Sequence, residues 1–525
     1  MERRTLNISS LKKSSSNDTV AQELSIPKNL NLNLGENIRQ IKETVGNSND
    51  IIIREVRIGK SKKQLIAIIY TDGLADKGII TDFIMESLML DCDTTAVSDT
   101  SNVIQFLKDY CLTVGDVKDI ADFKALYSSI LNGETVILVD GYAKGISAST
   151  KSAKDRAVTE PTTESVIRGP REAFTETLRT NTALLRRKIK DPNLWIESRI
   201  IGRVTQTDVA IMYINGIAND KIVEEVLIRI DRIDIDGILE SGYIEELIQD
   251  TTFTPFPTVY NSERPDVIAA ELLEGRIAIF VDGTPFVLIV PALFTTFIQA
   301  AEDHYQRSDV SSLIRILRYL GISISLLGPS LYVAITTFHQ EMLPTAMLIS
   351  LASQREGTPF PAFVEALIME VAFEILREAG LRMPRTIGPA VSIVGTLVIG
   401  QAAVSAGIVS AAMVIVVSLT AICGFLFPAY AMSNTFRILR FPFMFLAAFL
   451  GLFGIVFGII ALFFHLCSLR SFGVPYMSPL APFIPAEQKD TILRFPRWAH
   501  LTRQRLSNSR NMTRQQNPLK NKIKG

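Results

Sequence analysis

Hydrophobic and polar positions divide the chain into three stretches. Up to about residue 283 charged side chains recur every few positions between short β-branched runs, and from there to about residue 469 long apolar runs dominate. The remainder is basic. The first stretch predicts alternating strands and helices. DIIIREVRI (50 to 58) and KQLIAIIYTDGLAD (63 to 76) read as strands, the second closed by an Asp-Gly turn. GIITDFIMESLML (78 to 90) and NDKIVEEVLIRI (219 to 230) carry helical spacing. Residues 1–48, rich in Ser, Asn, Lys and Asp, are expected to be a disordered polar tail, because they bury too little apolar area to offset the entropy of ordering.

The polar stretch repeats itself. AIIYTDGLAD (67 to 76) matches AIMYINGIAN (210 to 219), and LNGETVILVDG (131 to 141) matches LEGRIAIFVDG (273 to 283). Both pairs are offset by about 142 residues, which predicts two similar α/β subdomains, 49–150 and 172–284, joined by a Ser-, Thr-, Lys- and Glu-rich linker at 151–171.

In the second stretch a crossing helix needs roughly 20 mainly apolar residues. Residues 316–338, 387–404, 408–431 and 442–466 qualify, while 285–301, short and holding Pro291, and 360–378, holding Glu365, Glu370 and Glu374, are ambiguous. The fold class is therefore an α/β soluble N-terminal region of two similar subdomains plus an all-α polytopic membrane domain at 285–485, followed by a basic cytoplasmic tail at 486–525. The N-terminus lacks an apolar signal core and the tail is rich in Lys and Arg, which puts both ends in the cytoplasm and demands an even number of spans. The loops at 377–385 and 434–440 are basic too, and no four-span drawing places all of these on one side.

Soluble enzyme chemistry finds no carrier. Gly59-Lys60-Ser61 lacks the first P-loop glycine, where Arg54 stands, and Asp234-Ile235-Asp236-Gly237 lacks the calcium-loop ligands at Arg232 and Tyr243. His304, His339, His465 and His500 are far apart, and Cys92, Cys111, Cys423 and Cys467 have no metal-ligand spacing. No enzymatic activity, metal, cofactor or nucleic-acid partner is expected.

Glu370 and Glu374 lie one helical turn apart. With Glu365 they form either a cation-attracting vestibule, ringed by acids in a symmetric oligomer, or the wet face of an interfacial helix. The Gly-, Ala- and Ser-rich run at 386–407 permits close backbone approach. It reads either as packing or as a pore lined by Val398, Gln401 and Val404 with a dewetting gate.

RGPREAFTETLRTNTALLRRKI (168 to 189), GRVTQTDVAIMYINGIAN (202 to 219), TPFPTVYNSERPD (254 to 266), EGRIAIFVDGTPFVLIVP (274 to 291) and GVPYMSPLAP (473 to 482) together resemble the A subunit of GerA-type spore germination receptors, over roughly residues 50–490. The resemblance implies a place in the spore inner membrane with the soluble region facing the cytoplasm or spore core. It also implies a transporter-like B subunit and a lipoprotein C subunit as partners, and oligomerisation into a nutrient-gated channel for monovalent cations. A non-conducting scaffold that clusters those partners is the alternative, and a transporter binding the nutrient itself a third. No pore residue is carried over from the family.

Overall fold

The computed structural model describes residues 29–58, 64–91, 103–112, 114–152, 160–161, 163–383, 400–485, 487–503, 511 and 513–515. The chain forms two compact units, the first from residues up to Arg156 with Arg186–Glu197, the second from Ala157–Leu185 with Ser198 onward.

In the first unit, α1 (Leu34–Thr44) is followed by β1 (Ile51–Ile58), β2 (Gln64–Thr71), β3 (Val117–Ile120), α2 (Phe123–Leu131), β4 (Thr135–Val139) and β5 (Gly145–Ala148). The sheet order is β1-β2-β4-β5-β3, every pair antiparallel. Alternation splits each central strand between two cores. Ile66, Ile68, Ile137 and Val139 pack on the helical turns of 79–91 and 103–111, while Ala67, Ile69, Val136 and Leu138 pack on α1 and α2. A strand buried on both faces has no polar side to show, hence the continuous apolar runs.

The expected disordered tail is corrected from Asn29 onward. Asn33 caps α1 by accepting from the Gly35 and Glu36 N–H groups, and Leu34, Ile38, Ile41 and Val45 lie buried in the core. Their spacing of three to four residues makes one apolar stripe, which offsets the polar composition around it.

The second sheet contains β6 (Leu194–Ile201), β7 (Thr207–Ile214), β8 (Tyr260–Ser262), β9 (Ile277–Val281) and β10 (Val287–Val290), in the order β6-β7-β9-β10-β8. This is the topology of the first sheet. Its helices are α3 (Leu178–Lys188), α4 (Asp220–Asp231), α5 (Ser241–Ile248) and α6 (Pro265–Leu273). The duplication extends to single hydrogen bonds. Asn37 accepts from the Asn31 N–H at 2.9 Å and donates to its carbonyl at 2.7 Å, and Asn181 treats Thr175 alike at 2.7 and 2.6 Å. Asp140 accepts from the Leu34 N–H at 3.1 Å, and Asp282 from that of Leu178 at 2.9 Å.

Two boundaries move. Val287–Val290 is a strand paired with β8 and β9, so the long apolar helices begin at Ser308 and not at the 285 expected for the membrane domain. In the second half of the expected linker, Thr163 donates to Glu263, Ser262 to Glu164, and Arg264 to the carbonyls of Glu164 and Pro170, which straps residues 163–174 to the corner between β8 and α6.

The helical region comprises α7 (Ser308–Phe338), α8 (Thr345–Glu356), α9 (Ala362–Arg382), α10 (Ala411–Gly424) and α11 (Tyr430–Ser468). α7 and α11 are long and apolar enough to cross a membrane. α11 is broken at Gly451, at φ +61° and ψ −141°. A Cβ on Gly458 would lie 2.9 Å from both Leu446 and Phe443. In a straight helix residues 443 and 458 stand about 22 Å apart, so the chain reverses at Gly451 into two antiparallel arms. The single span expected at 442–466 is thus a hairpin of 430–450 and 452–468. The span expected at 408–431 shortens to Ala411–Gly424, and most of that expected at 387–404 lies outside the described residues.

Contacts order these helices. α7 leaves the sheet end and finishes at Phe338, against the Gly451 tip. α9 returns, with Glu365 beside Ser410 at the far end and Arg377 over the Phe425 and Tyr430 rings at the sheet end. α10 runs the same way, from Ser410 beside Tyr332 to Leu426 beside Gly321. The hairpin's open end meets the sheet subdomain, where Thr435 donates to the Pro255 carbonyl and Thr254 bonds His465 at 2.9 Å. Arg377 and Arg437 lie at the sheet end, residues 360–378 run through the bundle as α9, and the hairpin adds a further pass along it.

Candidate functional site: paired charges inside the helical bundle

An ionised side chain inside a bundle of apolar helices is costly unless it is paired and hydrogen-bonded. α9 carries three such acids on its inner side. Glu365, fully buried, accepts from the Ser410 N–H at 3.1 Å and hydroxyl at 3.0 Å, capping α10, and approaches Arg355 at 3.6 Å. Glu370, also fully buried, pairs with Arg440 of the first hairpin arm, which donates to the Ser325 carbonyl and hydroxyl of α7 at 2.8 and 3.1 Å. Glu374 pairs with Arg437, which donates to Asn434 at 2.8 Å. Glu370 and Glu374 with their arginines therefore tie α7, α9 and α11 together.

This placement differs from the acid-ringed vestibule expected at Glu365, Glu370 and Glu374, since arginines of the same chain take up all three carboxylates. Of the expected pore residues, Val398 lies outside the described residues. Gln401 is exposed and Val404 half-buried in a helical segment at 400–405, where Ala402 and Ser405 are also exposed, as is Ala406 just beyond it. Outward faces elsewhere on the bundle are of another kind: Ile415, Ile422, Phe449, Phe453 and Phe464 are exposed large apolar groups.

A second charged cluster joins the sheet subdomain to the start of α7. Buried Asp303 accepts from Arg318 at 2.6 Å and from Arg315 at 3.0 Å, and Arg315 donates onward to Asp490 at 2.7 Å. Burial by itself pushes the Asp303 carboxyl up, but the two guanidiniums more than offset this and hold it below the usual carboxylate range. Burial pulls the neighbouring His304 down to about 4, against the opposing pull of Asp490. The tail is tied in here as well, Arg494 donating to the Gln306 carbonyl at 2.8 Å.

The strap residue Glu164 lines a cavity of about 270 Å³ with Arg264, Glu302, Arg318 and the α10–α11 loop at Phe425 and Pro428. Burial raises its carboxyl to about 7, and the Ser262 hydroxyl, donating at 2.7 Å, opposes the shift only in part.

The sequence reading missed Arg440, Asp303, Arg315, Arg318 and Asp490. Arg315 and Arg318, one turn apart at the head of an apolar helix, were the available signal.

Two like α/β repeats are followed by a bundle of apolar helices with internally paired charges, two of them long and apolar enough to cross a membrane. The family model for the Bacillus/Clostridium GerA spore germination protein matches residues 39–506. Spore germination protein KA of Bacillus subtilis (strain 168) is 53% identical over 478 residues, covering 91% of this chain and 87% of that one. Spore germination protein GerLA of Bacillus cereus is 40% identical over 465 residues, covering 89% and 94%. An uncharacterized membrane protein, YfkQ, of Bacillus subtilis (strain 168) is 46% identical over 466 residues, covering 89% and 90%. The crystal structure of the N-terminal domain of the A subunit of the Bacillus megaterium spore germinant receptor GerK3 is 47% identical, covers 51% of this chain and 97% of that chain, and superposes with a TM-score of 0.41. The chain belongs to the GerA family of spore germination proteins.

Proposed function

We propose that this chain is the A subunit of a nutrient germinant receptor, seated in the spore inner membrane with its sheet subdomains on the cytoplasmic or core side, and that copies of it enclose a nutrient-gated path for monovalent cations. Its role is not enzymatic. The observation that carries this reading is the contrast between two surfaces of the bundle. Bulky Phe and Ile side chains suit lipid, whereas the small and polar face at Gln401, Ala402, Ser405 and Ala406 suits close contact with another helix or with water. With the α9 acids used internally, the conduction path forms between copies, along the 400–405 segment. Orientation follows from the arginines gathered at the sheet end. A transporter-like B subunit and a lipoprotein C subunit complete the receptor, and nutrient binding on a partner opens the path only by favouring the open state over the closed one.

Internal pairing of Glu365, Glu370 and Glu374 also suits a second reading, a non-conducting scaffold that clusters its partners. Single-channel recording of purified protein in a planar bilayer separates the two: cation current sensitive to substitution at Gln401 or Val404 supports the channel, and silence at all potentials supports the scaffold.

A further inference from the structure

The loop between α5 and β8 carries Phe253, 97% exposed. One bare aromatic is ordinary on a protein surface, whereas several at one level mark contact with something else. The loop is held on both sides of it. Asp250 accepts from the Phe472 N–H, just past the end of α11, and from Arg229 at 2.6 Å. Thr254 bonds His465 at 2.9 Å, Pro255 accepts from the Thr435 hydroxyl, and Phe256 packs edge-on against Phe436 at 6.0 Å between ring centroids. Phe253 is therefore fixed at the level of the last turn of the second hairpin arm and the first turns of the other. At that same end Phe425, Tyr430 and Phe464 are also exposed.

At the boundary between hydrocarbon and headgroups amphipathic rings such as that of Tyr430 settle at the headgroup level, and exposed Phe side chains bury just below it. We infer that Phe253 inserts into the lipid interface on the sheet side of the membrane, so that the sheet subdomain is anchored to the bilayer surface through its own loop and not only through the helices. Lipid is the occupant because the exposed groups at this level are bulky and apolar, Phe425, Phe463 and Phe464, whereas faces that seat another helix are built of small residues. This inference rests on the membrane placement proposed above.

The test uses the full-length chain in lipid nanodiscs, with Phe253→Trp and, separately, Phe464→Trp, and lipids brominated near the carbonyl end of the acyl chains. Quenching is measured above the background of Trp195 and Trp498. Both added tryptophans are expected to be quenched, Phe253→Trp most strongly by the bromines nearest the headgroups. Quenching of Phe464→Trp without that of Phe253→Trp overturns the inference and leaves the membrane placement standing. In that case a blue-shifted Phe253→Trp emission points to a second copy or another protein as the occupant. Absence of quenching at both positions overturns the inference together with the membrane placement.

Discussion

Arg440 pairs with Glu370 inside the helical bundle, both side chains removed from solvent, and the same guanidinium holds the backbone of α7 through the Ser325 carbonyl at 2.8 Å. One arginine thus joins three helices. Removing one partner of a buried pair strands the other charge, at a cost of about 3–5 kcal/mol. Glu370→Gln and Arg440→Met are each expected to lower the unfolding temperature of the detergent-solubilised protein sharply. The double substitution Glu370→Leu with Arg440→Met is expected to recover most of the loss. Additive losses in that cycle would show that the pair does not act as a unit.

Gly451 holds a left-handed backbone conformation, and a Cβ there would meet His339 at 2.8 Å and Phe338 at 3.1 Å. Gly451→Ala is therefore expected to destabilise the hairpin by about 1–3 kcal/mol. Thermal unfolding in detergent checks it, with Gly424→Ala, where the added methyl meets open space, as the neutral control.

Asp303 receives both Arg315 and Arg318, whereas Asp490 receives Arg315 from a more exposed position. Asp303→Asn is expected to cost about 3–5 kcal/mol because it leaves two buried guanidiniums short of a counter-charge. Asp490→Asn is expected to cost clearly less. Limited proteolysis near residue 307 reports loosening of the junction, and equal sensitivity of the two variants would contradict the ranking.

Glu164 has its carboxyl raised from 4.5 to about 7 in the folded chain. Between those values the folded state binds the proton and the unfolded state does not, so stability falls as pH rises. The contribution is complete below about 4.5 and gone above about 7. A shift of this size corresponds to about 3 kcal/mol. Glu164→Gln is expected to flatten that part of the stability-against-pH curve and to be more stable than the parent chain at pH 7.5. An unchanged slope between pH 5 and 7 would place the titrating group elsewhere.

In the proposed channel, Val404→Ala trims an apolar group beside the exposed Gln401 face and is expected to raise basal cation current in planar bilayers by easing the wetting of the constriction. Unaltered current from this variant, in a preparation that conducts, would remove Val404 from the path.

Legibility in the chain followed the range of the interactions involved. The repeat was readable because AIIYTDG and AIMYING each encode a strand and its turn within a few residues, whereas the strand order that the two sheets share is set by pairings such as Ile66 with Val139, far apart in the chain. α1 was missed although Leu34, Ile38, Ile41 and Val45 stand at helical spacing, because a polar composition around them masked a stripe that pays off only against β2 and β4. The hairpin was missed because Gly451, Gly454 and Gly458 resemble ordinary packing glycines until the backbone angle at Gly451 is seen.

Hydropathy and charge along the chain already settle that a duplicated α/β region precedes apolar helices and a basic tail, since burial pattern and turn chemistry act between near neighbours. The partner of each charge is another matter. Glu370 meets Arg440 across 70 residues and Arg315 meets Asp490 across 175, and only the packed helices bring such groups within bonding distance. Side-chain type reveals that a charge needs a partner, and the tertiary structure alone decides whether that partner is an arginine of the same chain, water or an ion.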